Sequence, residues 1–311
     1  VVPPEVHLLD ISGPIHIFYE AQAYGAPIET HFLSLNNENQ ALSSAGISLA
    51  VLEEFSDFQL GTDDWLFIPG LEKHLIFDPQ FEEANQSFYA WMRDQYQNDT
   101  KICSVCTGAY LLAQAGLLND KQCTTHWKYL DDFRKRFPNT HLMDERLFVK
   151  DENLYSSAGV SSGIDLALYL LEETFGPVFA TKIAKEVVVY LRRTEGDPQL
   201  SIFLQYRNHI ENRVHQVQDQ LAQNLSNKIK IDELADEVSM SPRNLTRLFK
   251  KTTGITIGDY HDKLRVEHAV QLLTTGQKVD VVAQSCGFNS SNQLRSLLKK
   301  YASALPSELT P

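Results

Sequence analysis

The sequence predicts a mixed α/β domain followed by an all-α domain. Three features predict this arrangement: the chain length, an alternation of short apolar runs with helical patterns in the first two thirds, and helical patterns alone after that. At 311 residues, the chain exceeds the size at which one hydrophobic core usually stops growing, so two domains are expected.

The first two thirds alternate between short apolar runs, bounded by Gly, Pro or polar residues, and patterns of helical period. The expected strands are residues 31–35, 65–69, 102–106 and 154–157. The expected helices are residues 86–95, 108–115, 163–174 and 178–191. This alternation is typical of an α/β layered fold with a largely parallel sheet.

The alternation breaks at residues 192–198, where Gly196 and Pro198 lie close together. Gly and Pro at this spacing indicate a boundary between elements or domains. We therefore expect an α/β domain over residues 1–195, a linker over 196–208 and a helical domain over 209–311.

Composition excludes several classes of protein. No run approaches the ~18 apolar residues of a membrane span, and the N-terminus lacks a signal-peptide pattern. Four cysteines are too few for a disulfide framework in a chain of this length, so reduced thiols are expected. We expect a cytoplasmic protein with no membrane contact, metal ion or cofactor. Because the chain begins with Val1 and not with Met, we expect it to be trimmed within its first strand.

The charge is distributed unevenly along the chain. The net charge is -12, which argues against a nucleic-acid partner because phosphates require Lys and Arg. Residues 220–311, however, contain 12 Lys and Arg against 9 Asp and Glu, whereas residues 1–219 contain 16 against 31. A mildly basic C-terminal part is compatible with DNA binding, and equally with ordinary variation between domains.

Residues 231–251 have the pattern of a helix-turn-helix unit, in which a second helix presents side chains to the major groove. The first helix has an apolar stripe at Ile231, Leu234, Ala235 and Val238. Ser241 is the expected N-cap of the second helix, with Pro242 at its first position. The inward side chains of that helix are Leu245, Leu248 and Phe249, and the outward ones are Arg243, Asn244, Arg247 and Lys251. Arg and Asn suit base edges and Lys suits phosphate, although an ordinary helical hairpin would also present a solvated polar face.

A second copy of the pattern follows about 48 residues later. An apolar stripe precedes the turn at residues 286–288, and Asn289 or Ser290 is the expected cap of the next helix. Its outward side chains are Asn292, Gln293, Arg295, Ser296 and Lys299. An amphipathic stretch over residues 257–273 joins the two units. Because accidental hairpins rarely repeat in this way, the repeat favours double-stranded DNA as a partner.

Residues 228–306 resemble the AraC/XylS DNA-binding domain. The resemblance is based on residues 240–250, Gly254, Tyr260, residues 264–267 and residues 286–288. It implies two recognition helices in successive major grooves. The sequence departs from the family pattern at Ile257, Ser296, Ala302, Ser303 and Leu305. We therefore expect the first unit to read bases and the second to bind weakly or to hold phosphates.

In the N-terminal part, Cys106 has the sequence context of a nucleophile elbow. A strand runs into Cys106, a helix begins directly after it, and small residues lie two positions to either side, at Ser104 and Gly108. A thiol at a helix N-terminus lies in positive potential, which favours thiolate, so an exposed and polarised side chain is expected. A core cysteine is the alternative, and it fits Cys103 better. The two cysteines also have the spacing of a redox pair, but no helix carries them.

Residues 1–195 resemble the ThiJ/PfpI superfamily, and in particular the amidase-like domain that precedes an AraC domain in GlxA-type regulators. The matching segments are residues 8–14, 68–70, 104–109, 124–127 and 157–167. The resemblance implies a flavodoxin-like fold related to class I glutamine amidotransferases, with Asp10 and His126 near Cys106. It also implies an anion-accepting nest of backbone N–H groups around Gly70, Leu71 and Thr107.

The resemblance also bears on catalysis. Proteolytic members of the superfamily have His directly after the cysteine, where this chain has Thr107, and no His-x-Glu suited to a glutaminase triad follows. An isonitrile-hydratase-like set of Asp10, Cys106 and Thr107 remains, so a cytosolic hydratase or hydrolase is the alternative function. Oxidation sensing by Cys106 is a third possibility.

Fusion to a DNA-binding domain favours sensing over turnover. We expect a homodimeric transcription regulator, without enzymatic activity, that works with RNA polymerase. Its effector is expected to be a small, nitrogen-containing metabolite bound near Asp10, Gly70, Cys106 and His126.

Overall fold

The computed structural model describes residues 1–36, 38–144, 146–189, 193, 199–207, 209–227, 229–302 and 304–309. The chain divides into two compact units, Val1–Gln199 and Leu200–Pro311. The helix expected over residues 178–191 is too long, because it ends at Glu186 and residues 187–189 are not helical. Four parts of the expectation lie outside the described residues: Leu191, most of the break at 192–198, parts of the linker, and Ser303. The boundaries expected at 195 and 208 stay a prediction.

The first unit contains a four-stranded sheet and three two-stranded pairings. Its strands are β1 (Leu33–Ser34), β2 (Gln40–Leu42), β3 (Ser48–Ala50), β4 (Glu53–Glu54), β5 (Trp65–Ile68), β6 (Lys101–Val105), β7 (Gln122–Cys123), β8 (His141–Leu142), β9 (Phe148–Asp151) and β10 (Leu154–Ser157). The four-stranded sheet has the order β5-β6-β10-β9. Strands β5, β6 and β10 are parallel, and β9 is an antiparallel edge. The expected, largely parallel sheet is confirmed.

Helices cover both faces of this sheet. The helices of the first unit are α1 (Leu8–Ala23), α2 (Lys73–Ile76), α3 (Pro79–Ala84), α4 (Gln86–Gln97), α5 (Gly108–Gln114), α6 (Leu130–Arg136), α7 (Ser162–Phe175) and α8 (Pro177–Glu186). Because successive strand residues point to opposite faces, Leu66 and Ile68 pack with α4 and α5, whereas Trp65 and Phe67 pack with α1, α7 and α8. This is the α/β layered fold that the sequence predicts.

Helix α1 is absent from the helices expected from the sequence. Gly13 and Pro14 lie inside it, and this pair normally indicates a break because Pro lacks an N–H and crowds the preceding turn. Tertiary packing outweighs this preference, since Ile17, Phe18 and Ala21 are buried against α7 and α8. A Cβ at position 13 would lie 3.0 Å from Ile164. Gly13 therefore permits the close approach of α1 and α7.

The described part of the second unit contains helices and no strand, which confirms the all-α expectation for these residues. The helices are α9 (Ile202–Gln205), α10 (Asn212–Gln223), α11 (Ile231–Glu237), α12 (Pro242–Thr253), α13 (Ile257–Thr274), α14 (Val279–Ser285), α15 (Ser291–Tyr301) and α16 (Pro306–Leu309). Among the residues with described positions, no helix combines the length and apolarity of a membrane span.

Two hydrophobic cores lie within this second unit, one for each helix-turn-helix. The first packs α10, α11 and α12 against the start of α13, and the second packs α14 and α15 against its later part. Ile257, which stands where the AraC pattern has proline, is the first residue of α13 and is buried in the first core. Arg265 donates from Nε to the carbonyl oxygen of Cys286 at 2.7 Å and stacks on Phe288. Helix α13 is thereby fixed to the turn of the second unit.

His261 on α13 makes the stability of the second unit dependent on pH. Burial, and then the charge of Arg265, lower the pKa of His261 from 6.5 to about 4. Because the unfolded chain takes up this proton near pH 6.5 and the folded chain only near pH 4, stability is lost as the pH falls through that window. At pH 5 the loss relative to pH 7.5 is about 2 kcal/mol.

Urea denaturation of the full chain and of His261→Gln at both pH values measures this effect. The variant should show a smaller pH dependence of the second unit's transition, by about the 2 kcal/mol that His261 contributes, whereas His141→Gln, which removes an exposed imidazole, should leave it unchanged. An equal pH dependence in all three proteins would contradict the prediction.

Candidate ligand pocket and nucleic-acid interface

Cys106 occupies a strained turn between β6 and α5. Its φ is 57°, a left-handed conformation that costs a non-glycine residue on the order of 1–3 kcal/mol and is common at functional sites. The expected strand end at Cys106 is therefore one residue too long, because the turn begins there. A Cβ at Gly108 would lie 2.1 Å from the carbonyl oxygen of Ile68, so the chain can turn this sharply only with glycine at this position.

The thiol of Cys106 is buried, so the expectation of an exposed side chain was wrong, and the direction of its pKa shift is opposite to the one expected for a thiolate. The residue is only 3% exposed. Burial, and then the charge of Asp10, raise the pKa of the thiol well above its usual range, while the backbone N–H of Thr107 opposes the shift. Helix α5 is only seven residues long, and its N-terminal potential does not compensate for burial beside a carboxylate.

Asp10, in the first turn of α1, and His7, directly before this helix, lie beside Cys106. Asp10 is 1% exposed, and His7 Nδ1 lies 3.4 Å from Asp10 Oδ2 and 3.9 Å from Cys106 Sγ. The facing carboxylate of Asp10 raises the pKa of His7, and partial burial opposes this effect. The outer nitrogen of His7, Nε2, is 3.7 Å from Glu72 Oε1. The imidazole thus connects the buried carboxylate and thiol to the surface.

The loop after β10 contacts both Asp10 and Cys106. Val160 donates its backbone N–H to Asp10 Oδ1 at 2.6 Å. Gly159 has a φ of +99°, and a Cβ there would lie 2.4 Å from Cys106 Cβ and 2.8 Å from its Sγ. Glycine at position 159 is therefore required both by the backbone conformation and by the contact with Cys106.

The structure changes the expectation for the nest around Gly70, Leu71 and Thr107. Thr107 Oγ1 accepts from the N–H of Leu71 at 3.1 Å and donates to the Leu71 carbonyl oxygen at 3.0 Å. The N–H of Leu71 is thus occupied and does not face a ligand. A Cβ at Gly70 would lie 2.5 Å from Asp10 Oδ2. A carboxylate this close disfavours an anion and favours an N–H donor.

His126 lies at the edge of the same region. Partial burial lowers the pKa of the His126 imidazole, and the charge of Asp10 opposes this shift. Its Nδ1 accepts from the N–H of Lys128. The direct contact with the elbow comes from the preceding residue, since Thr125 Oγ1 donates to the Cys106 carbonyl oxygen at 2.9 Å.

Sequence reasoning missed two residues that contact Cys106, His7 and Gly159. His7 lies three positions before Asp10, directly before the Leu-Leu-Asp-Ile-Ser-Gly-Pro segment. If a helix is predicted to start at residue 8, this spacing places the two side chains on the same face. Gly159 lies inside a segment that carries the ThiJ/PfpI resemblance, but only the folded chain shows that it contacts Cys106.

The first helix-turn-helix unit has the expected cap and an exposed reading face. Ser241 Oγ accepts from the N–H of Asn244 at 3.4 Å, as an N-cap should. Leu245 and Phe249 are fully buried. The side chains expected to contact DNA are all exposed, namely Ser241, Arg243, Asn244, Arg247 and Lys251. Arg247 donates to Asn244 Oδ1 at 3.4 Å, which aligns these two side chains on one face.

The second unit repeats this arrangement with a different reading face. Ser290, one of two expected caps, accepts from the N–H of Gln293 at 3.2 Å, and Gln293 Oε1 accepts from the N–H of Asn289 at 2.7 Å. This differs from a capping box in that the Gln293 side chain accepts from the residue before the cap, and the Gln293 side-chain oxygen is already engaged by this contact. Asn292, Arg295 and Lys299 are exposed.

Matching the two caps shows how the reading faces differ. Ser241 corresponds to Ser290, so Arg243 is replaced by Asn292, and Arg247 by Ser296. The second face thus lacks both of the arginines that the first one presents. This agrees with the expectation that the first unit carries more of the base-reading chemistry, which stays a prediction.

Comparison with known proteins identifies the class. The DJ-1/PfpI family model matches residues 1–173, more than half of the chain, and a helix-turn-helix domain model matches residues 234–310. The chain belongs to the DJ-1/PfpI family and joins that domain to an AraC-type helix-turn-helix domain, the domain composition of AraC-family transcriptional regulators. The two resemblances noted in the sequence are confirmed.

Individual relatives share this composition or part of it. The chain is 32% identical over 213 residues to the HTH-type transcriptional regulator GbdR of Pseudomonas aeruginosa, covering 68% of this chain and 58% of that protein. It is 30% identical over 235 residues to CdhR of the same species, also an HTH-type transcriptional regulator, covering 75% and 69%. It is 31% identical over 173 residues to the isonitrile hydratase of Pseudomonas putida, covering 56% and 69%. The match thus spans less than two thirds of GbdR.

Proposed function

We propose that this protein is a sequence-specific, DNA-binding transcription regulator controlled by a small, nitrogen-containing metabolite. The observation that carries the proposal is the pair of capped helices with exposed polar and cationic faces in an AraC-type domain. GbdR and CdhR, which are named as transcriptional regulators, support it. The regulator is expected to be a cytoplasmic homodimer that works with RNA polymerase, since paired half-sites on DNA match a two-fold protein.

The N-terminal domain is proposed to bind its ligand without turnover. The thiol of Cys106 is buried with a raised pKa, and the hydroxyl of Thr107 is engaged with both backbone groups of Leu71. The thiolate is the nucleophilic form of cysteine, so a buried thiol whose pKa is raised by burial and by the Asp10 carboxylate does not favour attack, even with His7 Nδ1 3.9 Å from its Sγ. The buried carboxylate of Asp10 instead suits an amine or another N–H donor.

Electrophoretic mobility shift and footprinting on the DNA upstream of the protein's own gene test the proposal. Sequence-specific binding by the full chain and by Cys106→Ser is the expected result. Absence of DNA affinity even at low salt would overturn it, because phosphate contacts strengthen as salt falls.

Isonitrile hydration is the second candidate function. It is favoured by the identity to the hydratase and by Asp10, Cys106 and Thr107 lying together. Turnover of an isonitrile by the full chain, abolished in Cys106→Ser, would establish it. If DNA binding is found and turnover is not, the regulator alone is supported.

Ligand binding in the N-terminal pocket predicts a thermal shift. A ligand at ~100 times its dissociation constant stabilises the folded state by about 2.7 kcal/mol. Screening of amino acids, betaines and polyamines should give such a shift in the full chain, and Asp10→Asn should remove it, because the variant loses the anionic acceptor.

Glu20→Gln is the matched control, since Glu20 is also an acid on α1 but pairs with His16. A shift that survives Asp10→Asn would place the ligand elsewhere.

A further inference from the structure

Three potential metal-ligating atoms of different chemistry converge at the start of α1. They are His7 Nδ1, Asp10 Oδ2 and Cys106 Sγ, and all lie within 4.8 Å of one another. Asp10 and Cys106 are buried, whereas about a quarter of the His7 side chain is exposed. Two of the three potential ligands are therefore buried, and the third, His7, is partly exposed to solvent.

The Asp10 carboxylate has unused capacity to accept. Its Oδ1 accepts from the N–H of Val160, but Oδ2 is buried and has no partner of normal hydrogen-bond geometry among the described residues. An unsatisfied buried acceptor is costly, especially when it is charged. The 3.4 Å separation from His7 Nδ1 exceeds the usual N–H···O distance of about 2.9 Å. The environment of Asp10 Oδ2 is therefore suited to a bound cation.

The spacing of the three atoms fits a small tetrahedral ion. Zn²⁺ binds N and O ligands at about 2.0–2.2 Å and S at about 2.3 Å, which places neighbouring ligand atoms roughly 3.3–3.7 Å apart. The His7 to Asp10 and His7 to Cys106 separations of 3.4 and 3.9 Å are close to these values. The third separation, from Asp10 Oδ2 to Cys106 Sγ, is within 4.8 Å, so side-chain movements of up to about 1 Å would complete the geometry.

Two neighbouring residues support this use of His7. Glu72 Oε1 lies 3.7 Å from the outer nitrogen of His7. When Nδ1 binds an ion, the imidazole proton lies on Nε2, and the Glu72 carboxylate is placed to accept it, as in metal-binding histidines. Gly70 keeps the space open, since a Cβ would lie 2.5 Å from Asp10 Oδ2 and 3.0 Å from His7 Nδ1.

We propose that His7, Asp10 and Cys106 bind one divalent transition-metal ion of the Zn²⁺ class, in contrast with the metal-free site expected from the sequence. Mixed thiolate, imidazole and carboxylate ligands suit this class better than Mg²⁺ or Ca²⁺, which prefer oxygen. On binding, the S–H bond of Cys106 breaks, its proton passes to solvent, and the thiolate sulfur donates its electron pair to the ion. Three protein ligands leave a fourth position for water or a donor atom of a small molecule.

Metal binding to the full, reduced chain tests this proposal independently of DNA binding. Calorimetric titration with Zn²⁺ should give one ion per chain with release of a proton, and Co²⁺ should give a near-ultraviolet thiolate-to-metal absorption band. Cys106→Ser should abolish the band. His7→Gln and Asp10→Asn should each weaken Zn²⁺ binding at least about 10-fold, since even indirect partners of a metal site typically contribute 10–100-fold.

Two further variants separate the proposed site from accidental binding and from misfolding. His74→Gln removes an exposed imidazole that faces Glu5, and it should leave Zn²⁺ affinity unchanged. Glu72→Gln alters only the outer contact of His7 and should weaken Zn²⁺ binding about 10-fold in a folded protein. Absence of the Co²⁺ band in the unaltered chain, its persistence in Cys106→Ser, or unchanged Zn²⁺ affinity in both His7→Gln and Glu72→Gln would overturn the proposal.

Discussion

Replacing Arg243 and Arg247 together with alanine should abolish sequence-specific DNA binding. Both side chains are exposed on the reading face of α12, and a bidentate contact from arginine to a guanine edge contributes about 1–3 kcal/mol of discrimination. Loss of both should therefore cost roughly 2–6 kcal/mol if the contacts are independent, while nonspecific affinity from phosphate contacts falls less. Competition binding with specific and random duplexes measures the specific and the nonspecific affinity separately.

The single variants show how much of the loss of specific binding comes from each arginine. Arg243→Ala should cost about 1–3 kcal/mol and relax preference at one base position. Ser296→Ala is the control, because Ser296 occupies in α15 the position that Arg247 has in α12, and it should weaken specific binding less than Arg247→Ala does, since serine makes no bidentate contact with guanine. An unchanged binding profile for Arg243→Ala, or a larger loss for Ser296→Ala than for Arg247→Ala, would contradict this assignment.

Gly159→Ala should destabilise the N-terminal unit and displace the side chain of Cys106. The added Cβ would meet Cys106 Cβ at 2.4 Å and its backbone Cα at 2.8 Å, in a residue with a φ of +99°. Overpacking typically costs about 1–3 kcal/mol, and the left-handed conformation adds about 1–2 kcal/mol for an L-residue. We expect a total loss of about 2–5 kcal/mol in urea denaturation.

Gly25→Ala separates the two contributions. Gly25 has a similar φ of +94°, but a Cβ there would have no heavy atom within 4 Å. It should therefore lose only the conformational part and keep ligand binding. Equal destabilisation by the two variants would show that the contact between Gly159 and Cys106 does not constrain the pocket.

The reading helices were predictable from the sequence because local chemistry determines them. Ser241 followed by Pro242, and Leu245 followed by Phe249 four positions on, define the cap and the buried face of α12, and neither feature depends on a distant part of the chain. The α/β order was predictable for the same reason, since period and turn residues are local signals.

The pocket was less predictable because distant segments build it. Val160 and Asp10 are 150 positions apart in sequence yet share a hydrogen bond. The direction of the pKa shift of Cys106 was misjudged because its sequence position shows the helix N-terminus but not the burial or the neighbouring carboxylate. Helix α1 was missed because contacts with α7 and α8 offset the effect of its internal proline.

The two separate cores of the helical unit have an evolutionary consequence. Each core consists largely of side chains from its own helix-turn-helix, and α13 contributes different residues to each of them. A substitution in one half therefore leaves most packing contacts of the other intact, so the halves can open locally as independent units. Selection can then act on them separately, because a substitution in the core of one half need not disturb the packing that holds the exposed face of the other.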